Sequence, residues 1–304
     1  MGSRTFALPK CPGEHCDCES CTVRMIGTGG AVDNGWLRQH QGPNQVAHQY
    51  RVFSAKLAML QGDVYLPKVF NPTLFAQGNE QCTPQTLFPE TRCTWSMFPG
   101  FSPYRFRLFS ERPVGPRTPI NMQLIFTDGA CSNNGRHGAR SAFGFALCSQ
   151  GRENTRGCVC FPVEKQGPDG QPCKPTSNRA ELRAVIAALE WRKWYREGWE
   201  AVVIATDSTY VADGATKWVS GWIAQEWWKS DGNKVLNKDL WMRLLQLFRQ
   251  YAIHGCEIIM WRIPRWQNTL AHNAAARGLE KMTKIIEWKS HRDPMLDVDQ
   301  DFDF

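Results

Sequence analysis

Three acidic residues stand where apolar runs give way to turns or helices. Asp128 follows Leu124, Ile125 and Phe126, Glu181 precedes Leu182, and Asp207 follows Val202, Val203 and Ile204. Carboxylate oxygens are the hard donors that Mg2+ and Mn2+ select, and oxygen-ligated divalent ions polarise phosphate and lower the pKa of water. Any one of these acids alone reads as a helix cap or a turn former. All three together, each at a joint of this kind, read as one cation site suited to phosphate chemistry.

Holding them together needs strands that end level and a helix that starts beside them. Residues 122–127, 142–148 and 157–163 read as strands of an antiparallel meander, and 164–176 as a surface loop. Residues 178–194 read as a helix, with Leu182, Val185, Ile186 and Leu189 at helical spacing and Ser177 as N-cap. A strand over 201–206, a helix over 209–219 and a short helix or turn over 223–228 follow. After them come an amphipathic helix over 239–251, a strand over 256–263 and a last helix over 270–288. This order predicts an α/β fold, a mixed sheet with helices on both faces. Adjacent strands lie ~5 Å apart, so Asp128 and Asp207 at matching heights share a cation. Glu181, in a first helical turn, leans over the same edge.

The motifs are wider than the acids. Thr127-Asp128-Gly129-Ala130-Cys131 with Asn133 and Asn134, then Ser177-Asn178-Arg179-Ala180-Glu181-Leu182, then Thr206-Asp207-Ser208-Thr209-Tyr210-Val211 occur in that order. With Trp228-Lys229 and Val235-Leu236-Asn237-Lys238-Asp239-Leu240-Trp241, they resemble type 1 ribonuclease H over about residues 122–279. The resemblance implies a ribonuclease-H-like five-stranded mixed sheet of order 3-2-1-4-5, flanked by helices. It implies two-metal hydrolysis of the RNA strand of RNA/DNA hybrids, leaving 5′-phosphate and 3′-hydroxyl ends. Asp128, Glu181 and Asp207 would hold two Mg2+ or Mn2+ ions. The family's fourth carboxylate is missing: Asn268-Thr269-Leu270-Ala271 leads to His272, which would serve as the fourth ligand and suits Mn2+ better than Mg2+. The family's histidine loop is replaced by the short Pro264-Arg265-Trp266-Gln267.

For the substrate, Asn133, Asn134, Ser177 and Asn178 are placed by the match to meet the 2′-hydroxyls that mark RNA. Trp222, Trp227, Trp228, Lys229, Lys234, Asn237 and Lys238 form a basic, aromatic stretch for the DNA strand, at least one of its tryptophans belonging to the core. Arg192, Lys193 and Arg196 read as a solvated helix face. The second reading of the chain is a hybrid- or RNA-binding protein that kept the fold and lost turnover at His272.

Composition adds bounds. The 304 residues carry a formal charge of +7, and five aspartates lie in residues 293–304, so the rest carries +12. A basic body suits a polyanionic partner, here the hybrid. No run reaches the length of a membrane span and no signal peptide is visible, so an intracellular location is expected, with the twelve cysteines reduced. Cys11, Cys16, Cys18 and Cys21 cluster closely enough for a possible Zn2+ site, though not at finger spacing. The expected organisation is a Cys/Pro/Gly-rich region over 1–119, poorly regular and of unknown role, a catalytic domain over 120–290 and an acidic disordered tail over 291–304. A monomer is expected.

Overall fold

The computed structural model describes residues 64–75, 82–93, 104–110, 120–134, 136–149, 157–281 and 285–292. One compact unit runs from Asp63 to Phe304; the other, Met1–Gly62, lies outside the described residues.

Among the described residues the strands are β1 (Lys68–Val69), β2 (Glu90–Arg92), β3 (Tyr104–Ser110), β4 (Ile120–Ser132), β5 (Arg140–Ala146), β6 (Cys158–Pro162), β7 (Ala201–Thr206) and β8 (Glu257–Arg262). The helices are α1 (Pro84–Leu87), α2 (Ser177–Trp191), α3 (Thr209–Asp213), α4 (Val219–Ala224), α5 (Lys238–Ile253) and α6 (Thr269–Glu280), with a π-helical stretch, Gly214–Trp218, joining α3 to α4. The central five strands run β6-β5-β4-β7-β8, which is the expected 3-2-1-4-5 order. β4 is antiparallel to β5 and parallel to β7, and β7 is parallel to β8.

Residues before 120 extend this sheet. β1 pairs in parallel with the edge of β8, and β3 pairs antiparallel with the first half of β4, opposite residues 120–124. β5 takes the second half of β4, opposite 126–132, and the Phe106 amide donates to the Leu147 carbonyl where β3 takes over from β5. The boundary expected at 119/120 therefore does not separate two compact units. The stretch reads as irregular because β1 and β2 are too short for alternation to show and β3 is separated from the regular elements that follow.

Alternation along the central strands sorts the core into two layers. Ile125, Val202 and Ile204 join Leu182, Val185, Ile186, Leu189, Leu244 and Phe248 on the α2 and α5 side. Leu124, Phe126, Val203 and Ala205 face Ala271 of α6 and Phe70, Phe88 and Phe106 of the early segment. Phe70 lies 4.6 Å from Trp261 ring to ring, and Phe106 meets Phe126 edge-on at 5.2 Å. That second face is thus closed by one helix and by aromatics that the sequence assigned to another domain. The cost of ordering a long, irregular segment is offset by burying such rings, each worth roughly 1.5–3 kcal/mol.

Several local expectations shift. Thr176, not Ser177, caps α2, its hydroxyl accepting from the Arg179 amide. α6 stops at Glu280, and residues 285–292 return to the body: the Lys165 and Gln166 amides donate to the Ile285 and Ile286 carbonyls. The loop over 164–176 is therefore not simply solvated. Its Glu164 is buried, and His291, placed in the tail by the sequence, is buried beside it. Arg192 is also buried, paired with Glu197, because the helix ends one residue earlier and turns inward. Residues 293–304 and the four clustered cysteines lie outside the described residues. Among the described residues no two cysteines are bridged, and no helix is long and apolar enough to cross a membrane.

Candidate active site

Register brings the two aspartates level. Phe126 is the Cα partner of Ala205 in the parallel β4–β7 pair, and each acid lies two residues further on. Residues two apart share a face, so Asp128 and Asp207 stand side by side on neighbouring strands. β4 continues past β7 because β5 supports it there, with Asp128 opposite Gly144. Asp207 lies just beyond the end of β7.

Glycine brings Glu181 in. A Cβ at Gly129 would lie 2.3 Å from the Glu181 amide nitrogen and 2.5 Å from the Ala180 carbonyl carbon. The first turn of α2 therefore rests directly on β4, one residue past Asp128. Glu181 is thereby brought beside Asp128, close enough for the charge of each to act on the other. On the opposite face a Cβ at Gly144 would lie 2.5 Å from the Ala275 nitrogen. α6 consequently packs against β5 backbone to backbone and delivers His272, whose Nδ1 lies 2.9 Å from Asp128 Oδ2.

Asn268, not among the site residues expected from the sequence, completes the set. It is fully buried, and its Nδ2 donates to the Thr127 carbonyl at 3.0 Å and to Asp207 Oδ1 at 2.7 Å. One side-chain amide thus ties the β4 backbone to the acid that follows β7. A signal for it exists in the chain, since Asn268 opens the Asn-x-x-Ala motif that leads to His272.

Electrostatics make this a site that seeks positive charge. Burial first, then the charge of Asp207, pushes the Asp128 carboxyl up, against the bonds from His272 and the Gly129 amide. Burial, then the charges of Asp128 and Asp207, holds Glu181 well above the usual carboxylate range. Glu181 Oε2 is buried with no hydrogen-bond partner. Among the described residues no group of three His, Cys, Asp or Glu side chains is gathered closely enough to hold a metal ion as it stands; Asp128 is held by its bond to His272, and Asp207 by its bond to Asn268. An orphaned carboxylate oxygen among mutually repelling acids fits a hard divalent cation, and the donor set is oxygen-rich as such an ion requires.

The expected substrate residues separate into groups. Asn134 Oδ1 accepts from the Ser177 amide at 3.2 Å, so the turn after β4 meets the start of α2 there. Asn133 and Asn178 are exposed near them, Asn133 in the left-handed region at φ 52°. Asn237, at φ 56°, heads α5; its Oδ1 accepts from Arg179 at 3.5 Å and its Nδ2 donates to the Tyr210 hydroxyl at 3.4 Å. Arg179 is buried in a two-pronged pair with Asp239, at 3.0 and 2.5 Å, which bolts the start of α5 to the start of α2. The basic, aromatic stretch stands on that bolt. Trp222 is half-buried, edge-on to Trp241, whereas Trp228 is 45% exposed with Lys234 over its ring. Glu226 and Trp227 both take positive φ, held there by bonds from the Trp227 amide to Trp222 and from the Val235 amide to Trp227. Strain of this kind persists only where surrounding bonds fix it, and here it projects Trp228 outward.

Residues 121–259 match the family model described as RNase H. The ribonuclease H of Nitrosococcus oceani is 40% identical over 129 residues, 42% of this chain and 75% of that protein. The ribonuclease H of Geotalea uraniireducens is 36% identical over 152 residues, 49% of this chain and 81% of that protein. Among solved structures, RNase H1 from Halobacterium salinarum NRC-1 aligns with TM-score 0.33 and 20% identity, covering 52% of this chain and 98% of that one.

Proposed function

The chain belongs to the ribonuclease H family, and we propose that it hydrolyses the RNA strand of RNA/DNA hybrids at the cluster of Asp128, Glu181, Asp207 and His272. The observation that carries this reading is the level placement of Asp128 and Asp207 with Glu181 driven against them over Gly129. Asp128, Glu181 and Asp207 offer the oxygen donors for two Mg2+ or Mn2+ ions, and His272 a nitrogen donor that favours Mn2+. Bound divalent ions supply an activated water and a charge clamp on the scissile phosphate.

The chain's own residues do the remaining work. Asn268 fixes Asp207, and the α2–β4 contact fixes Glu181, so the donors are held before substrate arrives. Asn134 and Ser177, with exposed Asn133 and Asn178, offer small polar groups to a ribose 2′-hydroxyl. Trp228, Lys229 and Lys234 offer an aromatic face and cations to the DNA backbone. The cysteine cluster at 11–21 stays a candidate Zn2+ site apart from this chemistry.

The test is cleavage of an end-labelled hybrid by the full chain in Mg2+ and in Mn2+. The unmodified protein is expected to cut RNA only, and Asp128→Asn to cut with neither ion. Tight hybrid binding with no cutting in either metal would establish the non-catalytic alternative.

A further inference from the structure

Between β8 and α6 the chain makes a short turn that is pinned at both ends to the Thr206–Asp207 pair. The Ile263 amide donates to the Thr206 carbonyl at 2.9 Å, and the Asn268 side chain donates to Asp207 at 2.7 Å. Within it, the Gln267 and Asn268 amides close the 3-10 turn Arg265–Gln267 on the Pro264 and Arg265 carbonyls. This rigid turn carries Trp266, 67% exposed, the most exposed tryptophan among the described residues. Among those residues its indole meets no other ring and makes no hydrogen bond. Arg262 and Arg265, both exposed, flank it without an acidic partner among the described residues.

A single exposed apolar side chain needs no explanation. An indole on a hydrogen-bonded turn, two residues from the clamp on a candidate ligand and between two guanidiniums without an acidic partner among the described residues, has the composition of a nucleic-acid contact. We propose that Trp266 stacks on a nucleoside of the RNA strand beside the scissile phosphate and that Arg265 contacts an adjoining phosphate. The proposal rests on the hydrolase reading for its substrate, and it assigns a function to the short turn.

The test uses the full chain and a defined hybrid, with binding measured by anisotropy in EDTA and cleavage measured separately in Mn2+. Trp266→Ala should raise the hybrid Kd and KM about ten-fold, within what one stacked base contributes, with kcat within two-fold and melting temperature unchanged. Trp266→Phe should recover most of the affinity. Arg265→Gln should weaken binding and lower the salt slope by about one. A 5-iodouridine in the RNA strand should cross-link to Trp266 under ultraviolet light, and 5-iododeoxyuridine in the DNA strand should not. Unchanged Kd and KM in Trp266→Ala, or cross-linking from the DNA strand alone, would overturn the proposal. A wild-type chain that binds but never cuts overturns the hydrolase reading instead; a ten-fold weaker Kd for Trp266→Ala still supports the contact.

Discussion

His272 Nδ1 stands 2.9 Å from Asp128 Oδ2, so the imidazole at the position where the motif led to a carboxylate being expected lies directly against a candidate metal ligand. It brings one less negative charge to the cluster. A unit charge ~4 Å from a cation contributes about 1 kcal/mol per cationic charge even at the dielectric constant of water. His272→Asp should therefore lower the half-saturating Mg2+ concentration for cleavage about ten-fold or more and narrow the Mn2+ preference. It should also destabilise the metal-free protein by like-charge repulsion, an effect that added Mg2+ reverses. Metal titrations of cleavage and of thermal unfolding check both halves; an unchanged Mg2+ dependence would show that His272 does not serve the ions.

Gly129 is the joint between β4 and α2. A methyl group there meets backbone atoms at 2.3 and 2.5 Å, and backbone cannot swing aside as a flexible side chain does. Gly129→Ala should cost about 1–3 kcal/mol of stability, as overpacking does. By moving Glu181 from Asp128 it should also lower kcat about 100-fold. Gly138, with nothing within 4 Å of its missing Cβ, gives the contrast. Its positive φ of 75° makes alanine strained there, but Gly138→Ala should leave kcat unaltered. Equal kcat losses in the two variants would remove the special role of Gly129.

Asn268 joins two groups on neighbouring strands, the Thr127 carbonyl and the Asp207 carboxylate. Asn268→Ala leaves a buried acceptor unsatisfied, a cost of about 1–3 kcal/mol. Metal affinity should drop about 10- to 100-fold, as it does when a partner that orients a ligand is lost. Calorimetric titration with Mn2+ and denaturant melts measure the two effects separately. A stability loss with full metal affinity would make Asn268 a core residue only.

How far the chain was legible follows from the same residues. The five central strands and the main helices were readable because their periodicity runs over five or more residues, as in Ala201–Thr206 and Lys238–Ile253. The acids were readable because each stands at the edge of an apolar run, although Asp128 lies within β4, which continues to Ser132. Of the three added strands, Lys68–Val69 and Glu90–Arg92 are too short to display alternation, and Lys68–Val69 pairs with a partner far along the chain; Tyr104–Ser110 is seven residues long but stands alone among irregular stretches, so it was not read as part of the sheet. Asn268 escaped for another reason: a clamp shows itself only through the distance to what it clamps. The burial of Glu164 and His291 escaped likewise, because a charged residue in a Pro/Gly-rich loop and an imidazole near an acidic tail both read as solvated.

That buried pair gives a pH dependence. Arg183 donates to Glu164 from Nε at 3.0 Å and from Nη2 at 2.8 Å, and His291 Nε2 lies 3.1 Å from the same carboxylate. Burial alone would raise the Glu164 carboxyl; the His291 bond, then the charge and bonds of Arg183, outweigh it and hold it at about 2, against its usual 4.5. Burial also pushes the His291 imidazole below its usual 6.5, against the Glu164 bond. Both folded values lie below the unfolded ones, so in each case the unfolded chain takes up the proton first. The stabilisation is full above about pH 6.5. It falls first as His291 titrates in the unfolded chain, then again between 4.5 and about 2 as Glu164 does. The Glu164 part is about 3 kcal/mol, since each tenfold change in proton affinity is worth about 1.4 kcal/mol. Glu164→Gln removes the closer of Arg183's two acidic partners, Glu190 Oε2 remaining 3.8 Å from Nη1, and should cost about 3 kcal/mol at pH 7. A protonated Glu164 resembles that glutamine, so urea melts of the two proteins should converge as pH falls from about 5 toward about 2. A stability gap that stays constant over this range would show that the ion pair is not what holds residues 285–292 to the body.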